Sequence, residues 1–239
     1  MPFIHSTNRL FLPALAISTF AVTISNGLVT LLLLEIASTF QVNEGVAAQL
    51  RTVNAFAEVS CGLLMSVLTI RFRHKPLLLT GLALVSFSAV GSFFASTLEL
   101  LLFFSFLEGA GSIIFIILAF TMVGNVISSD KKVQAVGWLV AVGYVFSFIS
   151  TPLINLFANL GSWRYTFLLL VLPVSVIGFI LVFLGVPSVD TLTRLQMSHA
   201  EAYLRDLKRI FLNKSVISSI VGGFFFYRLF NRRFRDCFL

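Results

Sequence analysis

Two carboxyl groups, Glu58 and Glu108, lie inside long apolar stretches of the sequence. Ionisable side chains at such positions are costly in hydrocarbon, and where they occur they pair with one another, face a water-filled cavity or relay protons. We therefore interpret both as candidates for proton or cation coupling. A structural hydrogen bond from each carboxyl group to a neighbouring helix is an equally open alternative.

Other polar residues accompany these carboxyl groups at helical spacing. Arg51, Asn54 and Glu58 follow one another at i, i+3 and i+7, which puts them on one face of a helix. Such a stripe is typical of a helix that turns one face toward the interior of a bundle. The residues predicted to line a substrate or coupling cavity are Asn26, Glu58, Ser105 and Glu108.

Enzyme and metal motifs are absent from the sequence. It contains no H-E-x-x-H, no G-x-S-x-G and no P-loop, and its Cys and His residues do not have metal-ligand spacing. Cys61 and Cys237 form neither a ligand pair nor a disulfide framework. We predict that the protein is not an enzyme and that it uses no metal and no cofactor.

The composition places the polar residues in an integral membrane protein. The 239 residues are 58% hydrophobic and 11% charged, with a mean hydropathy of +0.99, whereas soluble domains are about 25% charged. The net charge of +7 comes from short basic turns between apolar segments. Because that pattern is typical of cytoplasmic loops and not of a solvated basic patch, we predict no nucleic-acid binding.

The apolar runs predict an all-α fold: a bundle of six transmembrane helices, followed by the start of a seventh. Each run approaches or exceeds the roughly 20 residues that a helix needs to cross a bilayer, and none alternates as in a membrane barrel. The predicted helices occupy residues 10–40, 45–70, 76–96, 99–127, 133–159 and 164–186, with an incomplete seventh at 215–227.

Basic residues are distributed unequally between the two sides of this bundle. Eleven Lys and Arg residues fall on one side, and only Arg51 and Arg164 fall on the other before the tail is reached. Cytoplasmic loops carry the excess of Lys and Arg. We therefore predict a multi-pass protein of the cell membrane with a cytoplasmic N-terminus.

The chain divides into three predicted parts. Residues 1–186 form the six-helix bundle, and residues 187–214 form a cytoplasmic linker with an amphipathic helix, which starts at the capping box of Ser198 and Glu201. Residues 215–239 form the incomplete seventh helix and a tail with four arginines. A complete seventh span would put that tail outside, against the charge rule. We therefore expect a truncated chain.

These features resemble the N-terminal half of a major facilitator superfamily transporter, over residues 10–226. The stretch LLLLEIASTFQVNEGVAAQL is similar to the end of the first helix and the following loop in the drug- and sugar-efflux branch of that family. The stretch GSWRYTF, residues 161–167, is similar to the family's outer turn into helix six.

The family's signature turn between helices two and three begins at Ser66 in this sequence. Leu68, Arg71 and Lys75 match it, while Ile70 stands where the family has an aspartate that latches the cytoplasmic side. The resemblance implies that Arg71 and Lys75 belong to a cytoplasmic gating turn. It also implies that this turn lacks the usual charge relay.

The resemblance implies a transporter that moves a small molecule by alternating access, with proton-coupled efflux as one mode. The fold would be two inverted three-helix repeats, half of a twelve-helix transporter, with the site at mid-membrane depth. Its partners would be the lipid bilayer, the small-molecule substrate, and a missing C-terminal half or a second copy. A non-transporting six-span scaffold or interaction subunit is the alternative, favoured by Ile70, Ser105 and Thr151, which depart from the family pattern.

Overall fold

The computed structural model of the protein describes residues 10–127, 129–158 and 161–187, and within these ranges all regular structure is helical. The predicted linker helix, the incomplete seventh helix and the basic tail lie outside the described residues. They stay predictions, as does the division of the chain into three parts.

The first predicted helix is two helices in the structure. Helix α1 (Phe11–Leu31) is followed by Leu32, whose φ of −101° and ψ of 16° depart from helical geometry. Helix α2 (Leu33–Thr39) begins at the next residue. A short helix, α3 (Glu44–Ala47), comes next. Its first turn is capped by the Asn43 side chain, which accepts a hydrogen bond from the Gly45 N–H at 2.6 Å.

The other predicted helices each have a counterpart in the structure. Four of them are α4 (Gln49–Arg71), α5 (His74–Phe94), α6 (Leu98–Val126) and α7 (Ser129–Ala158). The sixth predicted helix, 164–186, begins with the short helix α8 (Arg164–Thr166). A π-helical turn (Phe167–Val171) carries α8 into α9 (Leu172–Gly185). Pro173, which has no N–H to donate to the preceding turn, lies just after this π-helical segment.

The long helices have the length and composition of membrane spans. Five of them in the described residues, α1, α5, α6, α7 and α8–α9, are apolar enough to cross a bilayer. Helix α4 has 23 residues and is therefore about 35 Å long, but it is less apolar because one face carries the polar stripe. The outer surface of the bundle exposes large apolar side chains, among them Phe56, Phe87, Phe148 and Phe183. Such a surface is suited to lipid.

The contacts between helices follow a two-fold pattern. Helix α6 packs against α4 and α5, α1 packs against α7 and α9, and α5 also meets α9. Exchanging α1, α4 and α5 for α6, α7 and α9, respectively, converts the contacts of α6 into those of α1 and leaves the α5–α9 contact unchanged. This pattern supports the two inverted three-helix repeats that the resemblance implies.

Candidate functional site

The candidate site forms where α4 and α6 touch through their backbones. The carbonyl oxygen of Asn54 on α4 lies where a side chain on residue 109 of α6 would start, so the close approach requires Gly109. Small residues permit such contacts between membrane helices. The contact brings the Asn54 side chain beside Ser105, one turn of α6 before the glycine, and beside Glu108, the residue that precedes it.

Arg51 joins two amide side chains from different helices. Its Nη1 donates to Oδ1 of Asn26 on α1 at 3.0 Å and to Oδ1 of Asn54 on α4 at 2.6 Å. The same nitrogen lies 3.9 Å from Oε1 of Glu58. The side chains of Arg51 and Glu58 are 46% and 26% exposed. The ion pair therefore lies at the edge of the interface, partly open to the surroundings.

The Asn54 amide continues this network into the buried interface. Its Nδ2 donates to the backbone oxygen of Ser105 at 3.2 Å and to Oε2 of Glu108 at 3.3 Å. Glu108 is 2% exposed, and its other oxygen, Oε1, has no hydrogen-bond partner in the described part of the chain. The buried Ser25 of α1 also neighbours this carboxyl group. Glu108 is thus enclosed by α1, α4 and α6.

All four residues predicted to line a cavity belong to this one network. Asn26 and Glu58 contact the guanidinium group of Arg51, and Ser105 and Glu108 contact the amide of Asn54. Ser105 and Glu108 are buried beneath α4 and do not line an open surface. Their role in substrate or proton binding stays a prediction.

Two residues that hold the network together, Arg51 and Asn54, are not among the residues predicted to line the cavity. Arg51 links α4 to α1 and Asn54 links α4 to α6, whereas the sequence indicated only that they share a face with Glu58. Ser25 precedes Asn26 and gave no signal of its own. Within the described residues, no three His, Cys, Asp or Glu side chains converge on a possible metal site.

The predicted gating turn lies between α4 and α5. Arg71 is the last residue of α4, and its side chain lies outside what the structure describes. The Nζ of Lys75 lies 5.5 Å from the centre of the Phe183 ring on α9, within range of a cation–π contact. This contact links the turn to the last helix of the bundle, and the gating role stays a prediction.

The outer turn at residues 161–167 ties three parts of the bundle together. Trp163 Nε1 donates to Oγ1 of Thr39 at the end of α2, at 3.0 Å. Arg164 Nη2 donates to the carbonyl oxygen of Ala95, between α5 and α6, at 2.8 Å. The guanidinium of Arg164 also lies 5.0 Å from the Trp163 ring centre and 5.8 Å from that of Phe40. The motif noted in the sequence therefore anchors the ends of neighbouring helices at one side of the bundle.

A helical membrane bundle with the contact pattern of two inverted repeats and a buried polar network is the architecture of secondary transporters. The chain matches the family model of the Major Facilitator Superfamily over residues 15–231. The chain belongs to this superfamily of carriers, which confirms the resemblance, the all-α membrane fold and the expectation that the protein is not an enzyme.

One similar solved structure is that of the peptide transporter POT, as a point mutant in complex with alafosfalin. The match has a TM-score of 0.64 at 14% sequence identity and covers 94% of this chain and 50% of that one. This chain therefore spans half the length of the transporter that it matches. No curated protein matches the sequence. At this identity the likeness concerns the fold alone.

Proposed function

We propose that the chain forms one six-helix half of a transporter that moves a small molecule across the cell membrane by alternating access, coupled to protons. The observation that carries this proposal is the buried Glu108, held among polar groups of α1, α4 and α6. A carboxyl group in the membrane interior is expensive and is characteristic of proton relays in pumps and transporters.

We further propose that a second six-helix bundle completes the substrate path. The matched peptide transporter is twice as long as the aligned part of this chain, and secondary transporters open alternately by rocking one bundle against another. The second bundle would be a C-terminal half or a second copy of this chain. Residues 187–214 would connect or flank the two bundles on the inner face of the membrane.

The orientation and direction of transport belong to the same proposal. The N-terminus lies in the cytoplasm, because eleven basic residues fall on that side against two on the other. Arg71 and Lys75 then face the cytoplasm, and the contact of Lys75 with Phe183 supports a gating turn docked on α9. Efflux is the direction favoured by the resemblance of residues 31–50 to the efflux branch.

The test uses membrane vesicles from the cells that produce the protein naturally, so that any second bundle is present. A pH gradient is imposed, and its dissipation is followed with a pH-sensitive dye after one probe is added. Dialanine, glucose, ethidium and benzoate represent the peptide, sugar, cationic-drug and organic-acid classes. We compare Glu108→Gln with Glu99→Gln, which removes an exposed carboxylate from the first turn of the same helix.

We expect at least one probe to dissipate the gradient in the wild type. Glu108→Gln should abolish that flux, and Glu99→Gln should leave it unchanged. If no probe produces flux that depends on this protein, although it is inserted in the membrane, the non-transporting scaffold is the better description. Equal flux in the Glu108→Gln and wild-type vesicles would remove Glu108 from proton coupling.

A further inference from the structure

The orientation of the Asn54 amide is determined from both sides. Arg51 has only hydrogen-bond donors, so the Asn54 atom 2.6 Å from its Nη1 must be the amide oxygen. The backbone carbonyl of Ser105 only accepts, so the atom 3.2 Å from it must be the amide nitrogen. Both neighbours therefore require the same orientation.

This orientation decides which oxygen of Glu108 can carry a proton. Oε2 accepts a hydrogen bond from Asn54 Nδ2 at 3.3 Å, and the carbonyl oxygen of a protonated acid accepts better than its hydroxyl oxygen, so the donor favours the proton on the other oxygen. Oε1 has no partner among the described residues and is free to hold the proton. The protonated group then has its O–H at Oε1 and its carbonyl at Oε2.

We propose that Asn54 is a positioning residue through which Arg51 controls the hydrogen bonding of Glu108, with Oε1 as the proton-carrying atom. This inference rests on the proposed proton-coupled function. It states how the hydrogen bonding of the buried carboxyl group depends on the position of Arg51. While Arg51 holds Asn54 Oδ1, the amide offers Glu108 a donor, which suits a carboxylate. Once Arg51 leaves, the Ser105 carbonyl alone fixes the amide, and the donor that faces Oε2 of Glu108 is held less firmly.

A second partner for Arg51 is already in place. Oε1 of Glu58 lies 3.9 Å from the nitrogen that holds the two amides, so a movement of about 1 Å converts this loose contact into a charge-assisted hydrogen bond. The Arg51 side chain is 46% exposed and has room to move. When Arg51 moves from Oδ1 of Asn54 to Oε1 of Glu58, the Asn54 amide loses one of the two contacts that fix its orientation.

Among the residues that the structure describes, the charged groups that interact with Glu108 are Arg51 and Glu58, both on α4. Helix α1 contains no ionisable side chain, and those of α5, His74 and Lys75, lie in its first turn. The remaining helix that contacts α6 is α7, whose ionisable residues are Asp130, Lys131 and Lys132 in its first turns and the exposed Tyr144.

The experiment is infrared spectroscopy of the full chain in lipid nanodiscs, titrated from alkaline to acidic pH. The carbonyl stretching band of protonated Glu108 is identified by its loss in Glu108→Gln. A hydrogen bond to a carbonyl oxygen weakens the C=O bond and lowers its stretching frequency. We therefore expect the band to move to higher wavenumber in Asn54→Leu, which removes the donor, and by a smaller amount in Arg51→Met, which leaves the amide held by the Ser105 carbonyl alone.

Two further variants separate positioning from a direct effect of the Arg51 charge. Arg51→Lys keeps a donor for Asn54 Oδ1 and should restore the wild-type band. The double variant Asn54→Leu/Arg51→Met should match Asn54→Leu alone, because Arg51 acts only through the amide. Arg51→Met changes an exposed side chain and keeps the test available if Asn54→Leu does not fold.

Several results would overturn the inference: a wild-type band position in Arg51→Met, additive shifts in the double variant, or no carboxyl band lost in Glu108→Gln. The vesicle assay is independent of this readout. If the flux depends on Glu108 but the carbonyl band of Glu108 does not move in Arg51→Met and Asn54→Leu, only the positioning role of Asn54 is refuted. Shifted bands together with flux that ignores Glu108 would remove only the proposed function.

Discussion

The backbone carbonyl oxygen of Asn54 fills the space in which a side chain on Gly109 would begin. Helices α4 and α6 therefore meet through their main chains at the level of the polar network. This contact brings Nδ2 of Asn54 to 3.3 Å from Oε2 of Glu108. The glycine on one helix thus determines the surroundings of the carboxyl group one residue away.

Gly109→Ala should destabilise the bundle, because the new methyl group must push α4 away from α6. Overpacking of this kind costs about 1–3 kcal/mol, measured as the free energy of unfolding in detergent micelles. Gly137→Ala on α7 is the matched control, because a Cβ there meets no atom of the described residues within 4 Å. The control should be neutral or gain up to about 1 kcal/mol from helix propensity. Equal stability of the two variants would contradict the close α4–α6 contact.

Asn54→Leu should destabilise the bundle more than Glu58→Gln. The leucine leaves the buried carboxyl of Glu108 and the carbonyl of Ser105 without their Asn54 donor, which costs about 1–3 kcal/mol. Glu58 forms a loose, partly exposed ion pair at 3.9 Å, and such pairs contribute about 0–1 kcal/mol. Unfolding in micelles checks both variants. A larger loss in Glu58→Gln would mean that the ion pair, and not the amide, holds the helices together.

Trp163→Phe should weaken the outer end of the bundle. It removes the donor to Thr39 Oγ1 from a side chain that is 2% exposed, and a lost hydrogen bond costs about 0.5–1.5 kcal/mol. Trp138→Phe makes the same change on α7, at a side chain that is 46% exposed, and should stay within about 0.5 kcal/mol of the wild type. Thermal unfolding of the two variants compares them directly, and similar losses would refute an anchoring role for the outer turn.

Cysteine labelling in intact cells should report opposite sides for two exposed turns. Asn43→Cys lies between α2 and α3, and Phe72→Cys lies between α4 and α5. Because the basic turn is predicted to be cytoplasmic, a membrane-impermeant maleimide should label position 43 directly and position 72 only after the cells are permeabilised. Both variants are made with serine at the two native cysteines. Labelling of position 72 in intact cells would reverse the proposed topology.

Much of the fold could be predicted from the sequence because hydropathy and helical periodicity are local properties. Apolar runs of sufficient length predict spans wherever they occur, and each of the six predicted helices has its counterpart in the structure. The face shared by Arg51, Asn54 and Glu58 follows from spacing alone. The break of the first helix at Leu32 carries no such signal, since the residues on both sides of it, Leu31 and Leu33, are also leucines.

The tertiary structure alone decided which faces meet. Lipid is as apolar as a leucine side chain, so hydropathy does not tell a lipid-facing surface from a packed one. Gly109 and Gly137 look alike in the sequence, yet one closes a helix contact and the other meets no atom of the described residues within 4 Å. In the same way, the sequence determined that Glu108 is costly in a membrane, and only the packing of α4 on α6 supplied it with Asn54 as a partner.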